Sequence, residues 1–153
     1  MGICASGNLS SPSYPSEYPS NRFFPSIKPW LHLQFHSTKD YHLEVDSGSC
    51  IELTFSDFEL EESSNCKYDS LKVSDGGYSS SNQLWKGCGS KKPGVLRSSS
   101  NRMTIYFRSD KSWNYKGFLA TWKEKSCNSW KVSKVNGISI NVLHWIRENS
   151  LLL

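Results

Sequence analysis

Short segments in which apolar and polar residues alternate constrain the fold of this chain more than any other feature. Apolar side chains occupy every second position in residues 41–45, 51–55, 71–73, 103–107 and 118–122. Turn-forming Gly, Asp, Asn and Ser residues separate these segments about every ten residues, the spacing of small all-β domains. A period of two buries one face of a strand and exposes the other. We therefore expect an all-β fold, an antiparallel β-sandwich.

The two ends of the chain lack this alternation. Pro12, Pro15 and Pro19 fall within eight residues and exclude a helix there. At the other end, Val142, Leu143 and Ile146 fit one face of a helix. We therefore predict that the tail, residues 124–153, is a linker that ends in a short amphipathic helix.

Five cysteines occur, and their spacing favours disulfides over metal binding. None forms a CxxC pair and no histidine pair has the spacing of a zinc site. Disulfides place the protein outside the cytosol, so we predict a secreted or extracellular protein. The odd count leaves one thiol over. Because the first residues lack an apolar secretory segment, we expect the chain to be part of a longer or processed protein.

Charge and hydropathy exclude two classes of partner. The net charge of +4 is modest, and Lys and Arg form no run of five or more, so we predict no nucleic-acid partner. No stretch reaches the roughly 18 apolar residues that a membrane span requires. Asn8-Leu9-Ser10 is an N-glycosylation sequon, which a secreted chain can use; the alternative is an unmodified Asn in a turn.

Several segments, in this order, resemble the CUB domain family over residues 4–123. They are SPSYPSEYPS, IELTFSDFELEESSNCKYDSLKVSDG, CGSKKP, SSSNRMTIYFRSD and GFLATW. The resemblance implies an extracellular, jelly-roll-like sandwich of about ten strands that binds protein or sugar partners and is usually found in tandem with other domains. It also implies a disulfide between Cys66 and Cys88, which closes a loop worth about 3 kcal/mol in the chain-entropy model.

The chain departs from the family pattern at the first disulfide. Asp40 stands where the resemblance leads us to expect a second cysteine before the strand at Tyr41. Two pairings of Cys4 remain open on the sequence alone. One is Cys4 with Cys50, and the other is Cys4 with Cys127.

The resemblance also implies a calcium site. Glu61, Asp69 and Asp110 match the acidic positions at which many CUB domains bind one Ca²⁺, and Tyr18 matches the tyrosine that orients them. Ca²⁺ takes 6–8 oxygen ligands, so carboxylates brought together by loops suit it. The family mode further implies that a partner's Lys or Arg docks beside the ion. The alternative is that these acids lie in loops only because loops are polar.

Catalytic patterns are lacking, and we predict that the chain is not an enzyme. No Gly-x-Ser-x-Gly motif occurs, and His32 and His36 have no third zinc ligand nearby. One alternative function is a carbohydrate-binding lectin similar to spermadhesins, with Trp85, Trp113 and Tyr115 as exposed aromatics. Another is a non-catalytic fragment of a CUB-containing serine protease, since the tail VLHWIRENS weakly resembles the closing helix of trypsin-like proteases. We favour the alternative that the tail is a generic amphipathic helix or unrelated sequence.

Overall fold

The structure is a computed structural model that describes residues 4–19, 37–77, 82–110, 112–127, 132–135 and 138–141. Within these ranges the chain forms ten strands and one short 3-10 turn (Ser64–Cys66). The strands are β1 (Ser6–Ser10), β2 (Ser37–Glu44), β3 (Ser49–Glu59), β4 (Ser70–Asp75), β5 (Gln83–Gly87), β6 (Leu96–Arg97), β7 (Arg102–Ser109), β8 (Gly117–Ser126), β9 (Val132–Val135) and β10 (Ile138–Asn141).

Eight of these strands form two four-stranded antiparallel sheets. The first sheet has the order β1-β8-β3-β6, and the second has the order β2-β7-β4-β5. Apart from β4 and β5, neighbouring strands in the two sheets are distant in sequence, as in β1 and β8, so the sheets hold together segments from both ends of the domain. The predicted all-β antiparallel sandwich is confirmed.

The core lies between the sheets and consists of the alternating apolar side chains recognised in the sequence. On β7, Met103, Ile105 and Phe107 are almost fully buried. Between them, Tyr106 is half-buried, whereas Thr104 is also buried and its hydroxyl group donates to the carbonyl of Gly76 at 2.9 Å.

Aromatic rings pack between the two sheets. The centroid of the Phe118 ring on β8 lies 5.8 Å from that of Phe107 on β7 of the other sheet, and 6.0 Å from that of Phe55 in its own sheet. Such edge-to-face contacts are worth about 0.5–1.5 kcal/mol each beyond area burial.

The proline-rich segment after β1 packs against the start of β8. Ser11 N–H donates to the carbonyl of Phe118 at 3.1 Å, and Phe118 N–H donates to Ser11 Oγ at 3.1 Å. Gly117 permits this approach, because a Cβ at its positive φ of 87° would lie 1.9 Å from Ser11 Oγ. The same segment then carries Tyr18 into the core, where its backbone N–H donates to the carbonyl of Tyr115 at 3.0 Å.

The structure contains two disulfides, and both pairings predicted for Cys4 are wrong. Cys66 is bonded to Cys88, as the resemblance implies, but Cys50 is bonded to Cys127 with a Cα–Cα distance of 4.9 Å. Cys4 is a free, exposed thiol. Cys127 is taken by Cys50, and the strand order, in which β8 lies between β1 and β3, separates Cys4 from Cys50. Two strand spacings, about 9–10 Å, exceed the Cα separation of about 7 Å that a disulfide can span.

The C-terminal segment contains strands where a linker was predicted. Strand β8 continues to Ser126, three residues beyond the predicted domain boundary. Within the predicted tail, β9 and β10 pair as an antiparallel hairpin. The residues that carry the predicted helical stripe, 142–146, lie outside the described residues. Over the ranges that the structure describes, no helix is long and apolar enough to cross a membrane.

Removing the Cys50–Cys127 disulfide should destabilise the domain strongly. Cys50 and Cys127 are separated by 77 positions, and closing a loop of this length stabilises a fold by about 4 kcal/mol in the chain-entropy model. We expect the double substitution C50A/C127A to lower the free energy of unfolding by about that amount, measured by urea denaturation.

The matched control is Cys4→Ser, which removes the free thiol and should leave the free energy of unfolding within about 0.5 kcal/mol of wild type. Peptide mapping of the non-reduced protein checks the pairing directly. A peptide that joins Cys4 to Cys50 or to Cys127 would contradict the framework.

Candidate functional site

Three acidic residues from separate loops meet at one end of the sandwich. Glu61 follows the end of β3 by two residues, Asp69 directly precedes β4, and Asp110 directly follows β7. Strands β4 and β7 are antiparallel neighbours that pair Ser70 with Arg108, so the start of one strand lies beside the end of the other. This topology, rather than proximity in sequence, brings Asp69 and Asp110 together.

The carboxyl groups of this acidic cluster (Glu61, Asp69 and Asp110) are close to each other and shielded from water. One carboxylate oxygen from each residue lies within 4.8 Å of one from each of the other two. Asp69 is fully buried and Glu61 is 8% exposed, whereas Asp110 is partly exposed. The cluster therefore has a buried inner side and an accessible outer side at Asp110.

Tyr18 fixes the inner side of the cluster. Its hydroxyl group donates to Asp69 Oδ2 and accepts from the backbone N–H of Glu61 at 3.3 Å. The Tyr18 ring is fully buried, with its centroid 5.2 Å from that of Phe107 in an edge-to-face contact. Since the ring is held by core packing, the hydroxyl group has a fixed position between two loops.

Backbone hydrogen bonds hold the outer side. The N–H of Asp110 donates to Asp69 Oδ1 at 2.8 Å, so both oxygens of the Asp69 carboxylate are engaged. The N–H and the hydroxyl group of Ser112 donate to the two oxygens of Asp110 at 2.8 and 3.2 Å. These contacts orient the Asp110 carboxylate at the edge of the cluster.

The electrostatics of the cluster disfavour its charged form. Burial raises the pKa of the Glu61 carboxyl group, and the negative charges of Asp110 and Asp69 raise it further. Burial also raises the pKa of Asp69, although the hydrogen bonds from Tyr18 and from the Asp110 backbone act in the opposite direction. The pKa of Tyr18 is raised by burial and by its hydrogen bond to Asp69, which keeps its hydroxyl group protonated and donating.

One carboxylate oxygen of the cluster has no hydrogen-bond partner in the described part of the chain, and its surroundings indicate whether the site suits a cation. Glu61 Oε2 is buried and has no hydrogen-bond partner among the described residues. The side-chain oxygen of Asn114, four residues after Asp110, is in the same situation. A buried oxygen without a partner is costly. Because carboxylate and amide oxygens are the ligands of hard cations, this donor set suits a divalent cation.

Asn8, the predicted glycosylation site, does not belong to this cluster. Asn8 is exposed on β1, where its side-chain oxygen accepts from Thr121 Oγ1 at 3.0 Å, and its glycosylation stays a prediction. Asp57 is an ion-pair partner of Lys116 rather than a ligand, and it also accepts from Tyr14 at 2.9 Å. His32 and His36 lie outside the described residues.

The three predicted aromatics do not form one surface. Trp85 and Tyr115 pack against the core, and the Trp85 ring lies 5.3 Å from that of Phe58 between centroids. Trp113 is 72% exposed and lies three residues after Asp110. Of the three, only Trp113 is available to a partner.

Comparison with known proteins identifies the family. The CUB domain family matches residues 34–122. Canine cubilin is 33% identical over 140 residues, which is 92% of this chain and 4% of cubilin. Mouse tolloid-like protein 1 is 38% identical over 119 residues, 78% of this chain and 10% of that protein. The chain therefore spans only a small fraction of the length of these relatives.

A solved structure agrees with the fold. The crystal structure of the MASP-1 CUB2 domain bound to Ca²⁺ matches with a TM-score of 0.61 and 28% identity, covering 76% of this chain and 90% of that one. The two four-stranded antiparallel sheets and the match to this solved domain define a class of β-sandwich domain. This chain belongs to the CUB domain family.

The raised pKa values predict how stability depends on pH in metal-free buffer. A carboxyl group whose pKa is higher in the folded state stabilises the fold fully below its ordinary value, 4.5 for Glu61. That contribution is lost as the pH rises through the folded pKa, because the group must then ionise in a site that disfavours its charge. We expect Glu61→Gln, which does not titrate, to gain stability relative to wild type as the pH rises from 4 to 7, measured by urea denaturation in EDTA.

The matched control is Glu62→Gln, because Glu62 is the exposed neighbour of Glu61. Its stability relative to wild type should stay constant over the same range of pH. Parallel curves for wild type and Glu61→Gln would contradict the raised pKa of Glu61.

Proposed function

We propose that this chain is an extracellular, non-catalytic interaction module that binds one Ca²⁺ through Glu61, Asp69 and Asp110. The observation that carries the proposal is the meeting of three carboxylates, within 4.8 Å, around a buried Glu61 oxygen that has no other partner. A similar domain, MASP-1 CUB2, is bound to Ca²⁺ in its crystal structure.

Calcium fits this donor set better than a transition metal does. The three residues offer only oxygen atoms, which hard cations prefer, and Ca²⁺ tolerates irregular geometry with 6–8 ligands. Asn114 is a candidate for a further oxygen, because its buried amide oxygen is unpartnered. When bound, the ion supplies positive charge that offsets the repulsion between the carboxylates. Tyr18 then acts as a positioning residue that holds Asp69 and the Glu61 backbone in place.

We further propose that a basic side chain of a protein partner docks at the outer side of the cluster. Asp110 is partly exposed, so one edge of its carboxylate faces solvent. Trp113 in the same loop is 72% exposed and offers an apolar surface for the aliphatic stem of a Lys or Arg. Exposed Trp residues are frequent hot spots in protein interfaces. The docking mode therefore combines one carboxylate with one aromatic ring.

The remaining alternatives have less support. A lectin platform of Trp85, Trp113 and Tyr115 is not available, because Trp85 and Tyr115 pack against the core. CUB domains are in general non-catalytic modules, although some relatives are parts of proteases. The extracellular setting rests on the two disulfides and on relatives that are extracellular.

Calcium should raise the thermal stability of the domain, and Tyr18→Phe should weaken this effect. At free calcium 100-fold above Kd, binding stabilises the fold by about 2.7 kcal/mol, which corresponds to a rise in Tm on the order of 10 °C. Loss of a hydrogen bond that orients a metal ligand typically weakens binding by about 10–100-fold. We expect Tyr18→Phe to show that loss in a calcium titration followed by calorimetry.

Tyr14→Phe is the matched control, since Tyr14 lies in the same segment but donates to Asp57 rather than to the cluster. It should bind calcium like wild type. Asp69→Asn should abolish the calcium-dependent rise in Tm. The calcium site would be disproved by an unchanged Tm of the wild type in calcium and in EDTA.

Docking of a basic partner should require both calcium and Trp113. The probe is a polylysine peptide. The uncharged comparison is the same peptide with its lysine side-chain amines acetylated. We expect the wild type to bind the charged form in calcium, and Trp113→Ala to weaken binding about tenfold, as truncation of a hot-spot residue does. Tyr68→Ala is the control, because Tyr68 is also exposed (43%) but precedes the fully buried Asp69 on another loop.

EDTA separates this docking mode from simple attraction between opposite charges. Without the ion the cluster is more negative, so attraction by charge alone would become stronger. The proposal requires the opposite result, because the ion holds the loop of Asp110 in its docking arrangement. Stronger polylysine binding in EDTA would therefore reject it.

A further inference from the structure

The outward face of the second sheet carries an open groove of about 590 Å³. This groove is away from the core and is formed by strands β2, β7, β4 and β5. Its charged lining residues are Lys72, Lys86, Arg108 and Asp40. Three cations against one carboxylate give the lining a net charge of +2 with histidine neutral. The chain therefore presents a positive surface here, in contrast to the acidic cluster.

The strand register places four of the lining residues in one row across the sheet. Lys86 on β5 is paired with Lys72 on β4, Lys72 with Tyr106 on β7, and Tyr106 with Asp40 on β2. Adjacent strands are about 4.8 Å apart, so the row crosses the full width of the sheet. Arg108 is diagonal to Lys72, with the two Cβ atoms about 7–8 Å apart. The three cations thus form a compact group.

The two lysines are placed where they repel each other. Like charges directly opposite on neighbouring strands destabilise a sheet, and Lys72 and Lys86 are such a pair. Each has a local contact that holds it in position. Lys72 Nζ lies 5.6 Å from the centroid of the Tyr106 ring, and Lys86 Nζ donates to the carbonyl of Asn65 at 3.3 Å. An anion between them would turn this repulsion into a favourable interaction.

The positive surface continues around the edge of the sheet. Lys86 also lines a second open groove, of about 560 Å³, together with the exposed Lys91 and Lys92. The two grooves share Lys86 and so form one track from Arg108 to Lys92. A track of this kind fits an extended ligand with repeated negative charges better than a single small anion.

We propose that this track, defined by Arg108, Lys72, Lys86, Lys91 and Lys92, binds a sulfated glycosaminoglycan. Charge complementarity carries the choice of a polyanion. The extracellular setting, where sulfated polysaccharides are the abundant extended polyanions, favours a sulfated polysaccharide over other polyanions. An acidic protein partner would instead require a large apolar anchor at the centre of the surface. Among the described residues, the exposed aromatic side chains Tyr68 and Trp113 line neither groove, and the exposed hydrophobic residue that does line one is the small Val95, in the second groove.

The test compares two double substitutions that remove the same charge. K72Q/K86Q removes two lysines of the track, and K123Q/K125Q removes two exposed lysines of β8 on the other sheet. The probe is a heparin-derived sulfated oligosaccharide, titrated calorimetrically in EDTA so that the result does not depend on calcium binding. We expect K72Q/K86Q to lower the affinity by about tenfold or more. K123Q/K125Q should bind within about twofold of wild type.

Thermal stability distinguishes loss of a binding site from loss of the fold. Because Lys72 and Lys86 repel each other, the Tm of unliganded K72Q/K86Q should equal or exceed that of wild type. The oligosaccharide should raise the Tm of wild type and of K123Q/K125Q more than that of K72Q/K86Q.

Three outcomes would overturn the proposal. The first is that the wild type does not bind the sulfated oligosaccharide. The second is that both double variants lose affinity equally, which would indicate nonspecific attraction to a basic protein. The third is that either comparison ligand binds as tightly as the sulfated oligosaccharide. These ligands are a polyglutamate peptide of equal charge and the desulfated oligosaccharide. The polyglutamate result would instead assign the track to an acidic protein partner.

Discussion

Burial of the Asp69 carboxylate is the constraint on which the functional end of this domain depends. A buried ionised group is costly unless it is hydrogen-bonded or neutralised. Here Tyr18 and the Asp110 backbone engage both of its oxygens, which ties together the segment after β1, the start of β4 and the loop after β7. Glu61 adds a second buried carboxyl group with an unpartnered oxygen. The arrangement costs stability without a cation, and this cost is what supports the proposed calcium site.

The sequence predicted the sheets and the acidic cluster for different reasons. Alternation predicted the core positions of β7, such as Ile105 and Phe107, because a half-buried strand has a period of two. Alternation carries no information about which loops meet, so Glu61, Asp69 and Asp110 were predicted only from family resemblance. The hydrogen bonds that join them depend on the pairing of β4 with β7.

The disulfide of Cys50 shows what a pattern of residues cannot supply. Cys4 lies just before β1 and Cys50 lies in β3, and both strands belong to the first sheet. Nothing in the spacing of the two cysteines shows that β8 lies between these strands. The order β1-β8-β3 excludes their pairing and places Cys127, at the end of β8, beside Cys50. The C-terminal hairpin of β9 and β10 was missed for a related reason, since four-residue strands are too short to show a clear period.

The basic track could not be predicted from the sequence, because its residues come together only when the strands pair. Lys72 and Lys86 are 14 positions apart and separated by a turn, so neither belongs to a run of basic residues. The modest net charge of +4 conceals an uneven distribution, with carboxylates gathered at the strand ends and cations on a sheet face. Attraction at an open sheet face is screened by salt within about 10 Å at 0.1 M, whereas coordination of an ion by buried carboxylates is screened much less. The two surfaces can therefore respond to different conditions, one to ionic strength and the other to calcium.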